Sequence, residues 1–298
     1  MKELTHVHEI LITLLEAFIE VANKYNLDWF LDGGSLLGTI RKHELIPWDD
    51  DIDIIMPRTS YNMLLTLSKE FKEPVFLQTC DTDKNYFSFT PKLRYSNSAM
   101  ITAQELEFSY NKGIAIDILP LDHIPDDAND DWIKLGKSYT KLVNNRLSMR
   151  FISHKEINVL LKTSQIDFST ISKAWNITMT TMNELFKDSH TVADTMCWRS
   201  SKYSSQTFES KAYSSYTLTC LKGCKYQVRI PVGYKTILEE WYGPTWYIEK
   251  NENSGHSFLN NFIYDTQHGY KEYECLDNDT LIQMIKKGDT LQWTLSNK

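Results

Sequence analysis

The segment Pro47-Trp48-Asp49-Asp50-Asp51-Ile52-Asp53-Ile54-Ile55-Met56-Pro57 constrains this chain most, because two prolines fence a short run in which aspartates alternate with isoleucines. The run predicts a strand over Trp48 to Met56. Successive strand side chains point to opposite faces, so Asp49, Asp51 and Asp53 share one face while Ile52 and Ile54 take the other and can enter a core. Neighbours on one face stand ~6.5–7 Å apart at the backbone, close enough for their carboxylates to converge. Three like charges at that spacing repel unless some are protonated or a cation sits among them. An all-oxygen cluster of this kind suits Mg²⁺ or Mn²⁺.

An aspartate run can also mark a turn or solvated edge, but neither needs Ile52, Ile54 and Ile55. A calcium loop matches at Asp49, Asp51 and Asp53 but places Ile54 where glycine is required and Ser60 where glutamate is required. The Asp-x-Asp of a nucleotide-sugar glycosyltransferase would follow a complete nucleotide-binding βαβ unit, and fifty residues, most of them one helix, leave little room for one.

A second acid stands alone in an apolar run, Ile114-Ala115-Ile116-Asp117-Ile118-Leu119, where an unpaired carboxylate is costly to bury. This run predicts a strand over Gly113 to Leu119, ended by Pro120. If it lies beside the first strand, Asp117 joins Asp51 and Asp53. Such a trio can hold two divalent ions ~3.5–4 Å apart, the spacing that clamps the attacking and leaving oxygens of a phosphoryl displacement.

Upstream, Leu31-Asp32-Gly33-Gly34-Ser35-Leu36-Leu37-Gly38 separates a short strand, Trp29 to Leu31, from the start of a helix. Gly33 and Gly34 allow the backbone to approach a ligand, and the N–H groups around Ser35 at a helix start favour an anion. Arg41 and Lys42 follow and add positive charge. Lys92 and Arg94 lie two apart on an expected strand and can face the same phosphates.

The chain has 298 residues with 42% hydrophobic and 24% charged, an ordinary globular composition. Thirty-two Lys+Arg against 39 Asp+Glu give a net charge of −7 and no global basic field, so no nucleic-acid partner is expected. No apolar run reaches the ~18 residues of a membrane span, and the N-terminus has no uninterrupted apolar stretch of a signal peptide. Five cysteines in a chain of this length do not make a disulfide scaffold. A cytoplasmic protein is expected.

Leu4, Val7, Leu11, Leu14, Leu15, Phe18, Val21 and Ala22 predict a core-facing helix over residues 4–22. From about 131 to 195 glycine nearly disappears and helical patterns take over. Tyr226 to Ile230 reads as a strand, and Thr236 to Tyr242 as a helix stopped by Gly243 and Pro244. The expected division is a catalytic core over 1–130, a helical insertion or acceptor region over 131–225 and a C-terminal extension over 226–298.

The stretch from Phe30 to Arg41, followed by Leu45-Ile46-Pro47-Trp48-Asp49-Asp50-Asp51-Ile52-Asp53, resembles the signature of the LicD family. These are phosphotransferases of the nucleotidyltransferase superfamily, to which fukutin and the fukutin-related protein also belong. The superfamily pattern of a Gly-Ser turn, an Asp-x-Asp strand and a later lone acid is matched by Gly34-Ser35, Asp51-Ile52-Asp53 and Asp117. Pro91-Lys92-Leu93-Arg94 and Leu238-Glu239-Glu240-Trp241-Tyr242-Gly243 resemble further family segments. The motifs fall within residues 30–58, 90–94, 114–122 and 231–246.

The resemblance implies an α/β fold, a small mixed sheet of nucleotidyltransferase type flanked by helices. It implies a CDP-linked donor such as CDP-choline, CDP-ribitol or CDP-glycerol. The acceptor would be a sugar hydroxyl of a surface glycan precursor, lipid-linked in some cases: teichoic acid, capsule or lipopolysaccharide. In that reading Asp51, Asp53 and Asp117 are catalytic and metal-binding, and Asp49 is an outer or alternative metal ligand. Gly33, Gly34, Ser35, Arg41, Lys92 and Arg94 bind substrate. Two further readings stay open: a nucleotidyltransferase adding NMP from an NTP to a small molecule, and a non-catalytic nucleotide-binding scaffold.

Three weaker signals also have plain structural causes. Trp241, Tyr242, Trp246 and Tyr247 form an aromatic cluster able to cage a quaternary ammonium, although core packing around a helix end is the better account. Lys134, Lys137, Lys141, Arg146 and Arg150 suggest a basic face for peripheral contact with a membrane surface, or simply a solvated helix face. Cys220 and Cys224 have the spacing of half a zinc site without a second pair.

Overall fold

The computed structural model describes residues 4–86, 88, 90–103, 105–106, 108–126, 168–194, 207–249 and 262–287. The N-terminal stripe forms α1 (Thr5–Lys24), with Leu11, Leu14, Leu15 and Phe18 fully buried against the sheet. The chain then forms β1 (Phe30–Leu31), α2 (Gly33–Lys42), β2 (Asp53–Pro57) and α3 (Arg58–Leu65). Next come β3 (Val75–Gln78), β4 (Lys92–Tyr95), β5 (Ala99–Thr102) and the long β6 (Ile114–Ile124). After α4 (Phe168–Leu185) come β7 (Thr191–Asp194), β8 (Thr207–Glu209), β9 (Tyr216–Cys220), β10 (Gln227–Pro231) and α5 (Tyr234–Tyr242). The last described elements are β11 (Phe262–Asp265), α6 (Tyr270–Tyr273) and α7 (Asn278–Lys287).

The architecture is α/β: a curled mixed sheet of seven strands, ordered β1-β2-β6-β4-β3, is extended by β7 on β6 and β8 on β7 and flanked by helices. Strands β2 and β6 pair in parallel, and the other neighbours in this sheet are antiparallel. Helix α1 packs across β6 and β4, while α3 and α4 also pack against β6. Phe18 meets Trp29 edge-on at 5.4 Å, which ties α1 to the start of β1. A second, smaller core is built by β5 and β11 with α6 and α7, around Ile101, Ile263, Tyr273 and Met284. No helix among the described residues is long and apolar enough to cross a membrane.

Several elements differ from the sequence reading in informative ways. The acidic run is not one strand from Trp48: Pro47 and Trp48 form a turn, residues 49–52 are irregular, and β2 begins at Asp53. Ile52 and Ile54 are nonetheless fully buried, as their spacing predicts. Pro120 does not end its strand, because β6 continues to Ile124. On the edge away from β2, β4 pairs with residues up to Asp117 and β7 with residues from Leu121. Pro120 falls between these partners, where a missing N–H costs the ladder nothing. Within 131–225 the described residues include α4, as the texture suggests, but also β7, β8 and β9, of which the first two extend the main sheet. Short strands of three to five residues carry too little periodicity to be separated from helical texture. The basic positions Lys134 to Arg150 lie outside the described residues.

Candidate active site

Parallel pairing sets Asp53 directly opposite Asp117, and the β6–β4 pairing places Lys92 on the other side of Asp117. The backbone ladder extends one step before β2, where the Asp117 N–H donates to the Ile52 carbonyl at 2.8 Å. Asp51, Asp53 and Asp117 thereby bring carboxylate oxygens within 4.8 Å of one another. Asp49, Asp50 and Asp51 form a second such group, sharing Asp51 with the first. Strand alternation would have turned Asp50 to the opposite face; the irregular backbone before β2 lets it join Asp49 and Asp51 instead.

The glycine turn is the wall behind these acids. The Asp32 N–H donates to the Asp53 carbonyl, and the Asp53 N–H donates to Ser35 Oγ, both at 3.0 Å. These bonds fix the N-terminus of α2 against the start of β2. Gly33 has φ +52°, and a Cβ added there would stand 2.6 Å from Asp53 Oδ2. A Cβ at Gly34 would stand 2.1 Å from Asp49 Oδ2. Both glycines leave open the space the carboxylates occupy, and the positive φ at Gly33 adds a backbone reason for glycine there.

The electrostatics follow from this crowding. Burial first, then the neighbouring Asp49, Asp117 and Asp50 charges, push the Asp51 carboxyl well above the usual range, with Lys92 acting in the other direction. Burial, then Asp51, Asp117, Asp32 and Asp49, do the same to Asp53. Burial works against the Lys92 ammonium, but the Asp117 carboxylate it pairs with more than offsets this and holds it above its ordinary value. Without a further cation the acids compete for protons and for one lysine. The set consists of hard carboxylate oxygens gathered at one point, and it fits Mg²⁺ or Mn²⁺ better than a softer metal.

The remaining substrate-binding candidates divide. Lys92 belongs to the site through Asp117. Arg94 is 4% exposed and donates from Nε to Gln78 Oε1 and from Nη1 to the Gly113 carbonyl, both at 2.6 Å, so these contacts brace β4 against its neighbours. Arg41 donates to the carbonyls of Trp246 and Ile248, and Lys42 pairs with Glu249. The basic end of α2 thus clamps the segment after α5. In the aromatic cluster, Trp246 meets Tyr234 and Tyr247 edge-on, with centroids 6.4 and 5.9 Å apart. Arg41 and Lys42 hold this segment, and Trp241, Tyr242 and Trp246 pack on the main core around the end of α5. The four described cysteines, Cys80, Cys220, Cys224 and Cys275, form no disulfide with one another.

Some residues around the site were missed by the sequence reading. Asp32 is 3% exposed, its Oδ1 has no hydrogen-bond partner among the described residues, and burial followed by the charge of Asp194 pushes its carboxyl up to about 7. Its signal was the one that singled out Asp117, a lone acid after apolar strand residues. Tyr264 donates to Asp50, and His8 on α1 donates from Nε2 to the Asp49 carbonyl at 2.8 Å. Neither carried a local signal, since each contact spans tens of residues or more. Tyr242, at the end of α5, was noted only for its ring. Its phenol is in fact held far above its usual range by burial and then by the charges of Asp53, Asp49, Asp32 and Asp51.

The family model described as "LicD/FKTN/FKRP, nucleotidyltransferase domain" matches residues 26–156, a span that contains the glycine turn, all five clustered acids and Lys92. Over that span, a little under half of its length, the chain matches the LicD family. It is also 43% identical over 63 residues to the lipopolysaccharide cholinephosphotransferase LicD of Haemophilus influenzae. That match covers 20% of this chain and 24% of the relative, so the two chains share about a quarter of the relative's length. The matched LicD domain does not extend to α4, β7–β11 or α5, although Tyr264 of β11 donates to Asp50.

Proposed function

We propose that this protein is a metal-dependent transferase that moves a phospho-alcohol, foremost phosphocholine, from a CDP-linked donor onto a sugar hydroxyl of a cell-surface glycan precursor. The observation that carries this reading is the convergence of Asp51, Asp53 and Asp117 within 4.8 Å beside the α2 N-terminus. The family match and the partial likeness to a cholinephosphotransferase support the choice of donor and acceptor.

Asp51, Asp53 and Asp117 would hold Mg²⁺ or Mn²⁺, with Asp49 as a further ligand. When bound, the ion neutralises diphosphate charge and polarises the phosphoryl group. The backbone N–H groups at the start of α2 and the Lys92 ammonium orient the phosphate oxygens. The acceptor hydroxyl attacks the phosphorus that bears the alcohol, the new P–O bond forms in line with the breaking one, and CMP leaves. The hydroxyl proton passes to the Asp117 carboxylate. With a lipid-linked acceptor, the enzyme would work at the inner face of the membrane.

The test supplies CDP-choline, CDP-glycerol, CDP-ribitol and CTP in parallel, with and without Mg²⁺, to the wild type and to Asp51→Asn and Asp53→Asn. Metal-dependent CMP release from a CDP-alcohol, lost in both folded variants, is expected. Near-wild-type rates in the variants would remove the assignment. Pyrophosphate release from CTP would indicate NMP transfer, and nucleotide binding without turnover would indicate a scaffold.

A further inference from the structure

Strand β11 lies beyond residues 26–156, the span of the LicD match, yet one of its side chains enters the acidic site. Tyr264 donates its hydroxyl to the Asp50 carboxylate. Asp50 is the acid that strand alternation would have turned away, and one of its carboxylate oxygens lies within 4.8 Å of oxygens of Asp49 and Asp51.

Packing on every side fixes where that hydroxyl stands. Tyr264 pairs with Met100 across the β5–β11 ladder, while the neighbouring pair, Ile263 and Ile101, turns to the other face and fills the second core. The Tyr264 ring stacks on Phe262, with centroids 5.4 Å and planes 27° apart. Tyr264, Phe262 and Met100 all pack on the main core. The Met100 N–H donates to the Lys112 carbonyl at 2.7 Å, which ties the hairpin to the segment entering β6, the strand of Asp117. At the end of β11, Asp265 accepts from the Tyr273 hydroxyl and so locks the strand to α6.

We propose that Tyr264 is a positioning residue of the cation site. Its hydroxyl holds the Asp50 carboxylate beside Asp49 and Asp51, so that the charge of Asp50 adds to the pull on a divalent ion held by Asp51, Asp53 and Asp117. The inference rests on the functional reading above, in which those acids bind a metal. Residues 49–51 lie outside β2, so strand pairing does not decide where their side chains point. Three adjacent carboxylates repel, and a half-buried Asp50 left to itself would turn toward water. A hydroxyl donated to an ionised carboxylate is among the stronger hydrogen bonds, and it opposes that swing. Partners that orient groups at a metal site in this way typically change metal affinity by about ten- to a hundredfold.

The experiment uses the full chain and measures Mn²⁺ binding by calorimetry in the wild type, Tyr264→Phe, Asp50→Asn and the two combined. Tyr273→Phe is the packing control, because it removes a hydroxyl–carboxylate bond from the same strand within the second core. Tyr264→Phe is expected to bind Mn²⁺ about tenfold more weakly than the wild type. The double variant should bind no more weakly than Asp50→Asn alone, because the hydroxyl acts through that carboxylate. Tyr273→Phe should lower the thermal midpoint and keep the wild-type Mn²⁺ affinity. Unchanged Mn²⁺ affinity in Tyr264→Phe would overturn the proposal. So would additive losses in the double variant, or an equal loss in Tyr273→Phe, either of which would make Tyr264 a support of the hairpin only. A wild type that binds Mn²⁺ but transfers from no CDP-alcohol would sink the functional reading alone, since the affinities still decide the role of Tyr264. A wild type that binds no Mn²⁺ would remove both.

Discussion

Asp53 and Asp117 stand opposite each other as the first paired residues of two parallel strands, and Lys92 pairs with Asp117 from the antiparallel neighbour on the far side. One carboxylate therefore serves both an acid cluster and a lysine. A metal ion bound by the cluster has to share Asp117 with that ammonium.

Replacing the lysine separates the two roles. In Lys92→Met the ammonium no longer competes for Asp117, and divalent-cation affinity should rise severalfold. Transfer should fall by about tenfold or more, because the donor phosphates lose a charged partner. Manganese calorimetry beside rate measurements checks both halves; weaker cation binding in the variant would contradict the competition.

Two glycines of α2 should fail in different ways. The Cβ of Gly34→Ala meets the far end of the Asp49 side chain at 2.1 Å, which can swing aside. The fold should survive with a thermal midpoint near that of the wild type, while metal-dependent turnover drops. The Cβ of Gly38→Ala meets the Glu44 carbonyl oxygen at 2.5 Å and the Ile46 nitrogen at 3.0 Å, and backbone cannot give so easily. That variant should lose roughly 1–3 kcal/mol of stability. Denaturant unfolding of both proteins would show whether the order holds.

Asp32 links stability to pH. Its carboxyl is pushed up to about 7 by burial and then by Asp194, against the pull of the Gly33 N–H. An unfolded aspartate ionises near pH ~3.9, so between about 4 and 7 the folded chain keeps a proton that the unfolded chain releases. Stability therefore declines as pH rises through that window, by at most about 1.4 kcal/mol per pH unit, and the loss is complete above it. Asp32→Asn removes the effect. In metal-free buffer its melting temperature should exceed that of the wild type by more at pH 8 than at pH 5, and parallel curves would refute the linkage.

Arg58 is a stability residue away from the acids. Its Nε donates to Asp122 Oδ1 at 2.6 Å and its Nη1 to Asn176 Oδ1 at 2.7 Å, joining α3 to β6 and α4. The side chains of Arg58 and Asp122 are 2% and 0% exposed. Arg58→Met strips the guanidinium from a buried carboxylate and should cost roughly 3–5 kcal/mol, read as a shifted urea midpoint. Cation binding to the protein that remains folded should be unchanged.

The sequence by itself determined the parts whose physics is local. The apolar period of α1, the buried Ile52 and Ile54, the glycines that open α2 and the lone Asp117 all follow from residue spacing and the cost of burying charge. Together they were enough to nominate Asp51, Asp53 and Asp117 before any strand pairing was known. The irregular backbone over residues 49–52 escaped that reading because alternation of residue types looks the same in a strand and in an extended loop. Only the tertiary structure set Asp53 across from Asp117, turned Asp50 toward its neighbours, and tied Arg41 to the segment after α5. It also brought Asp32, His8 and Tyr264 to the acids. Such contacts join residues tens to hundreds of positions apart, and their register is fixed by the packing of the whole sheet, which no short stretch of sequence encodes.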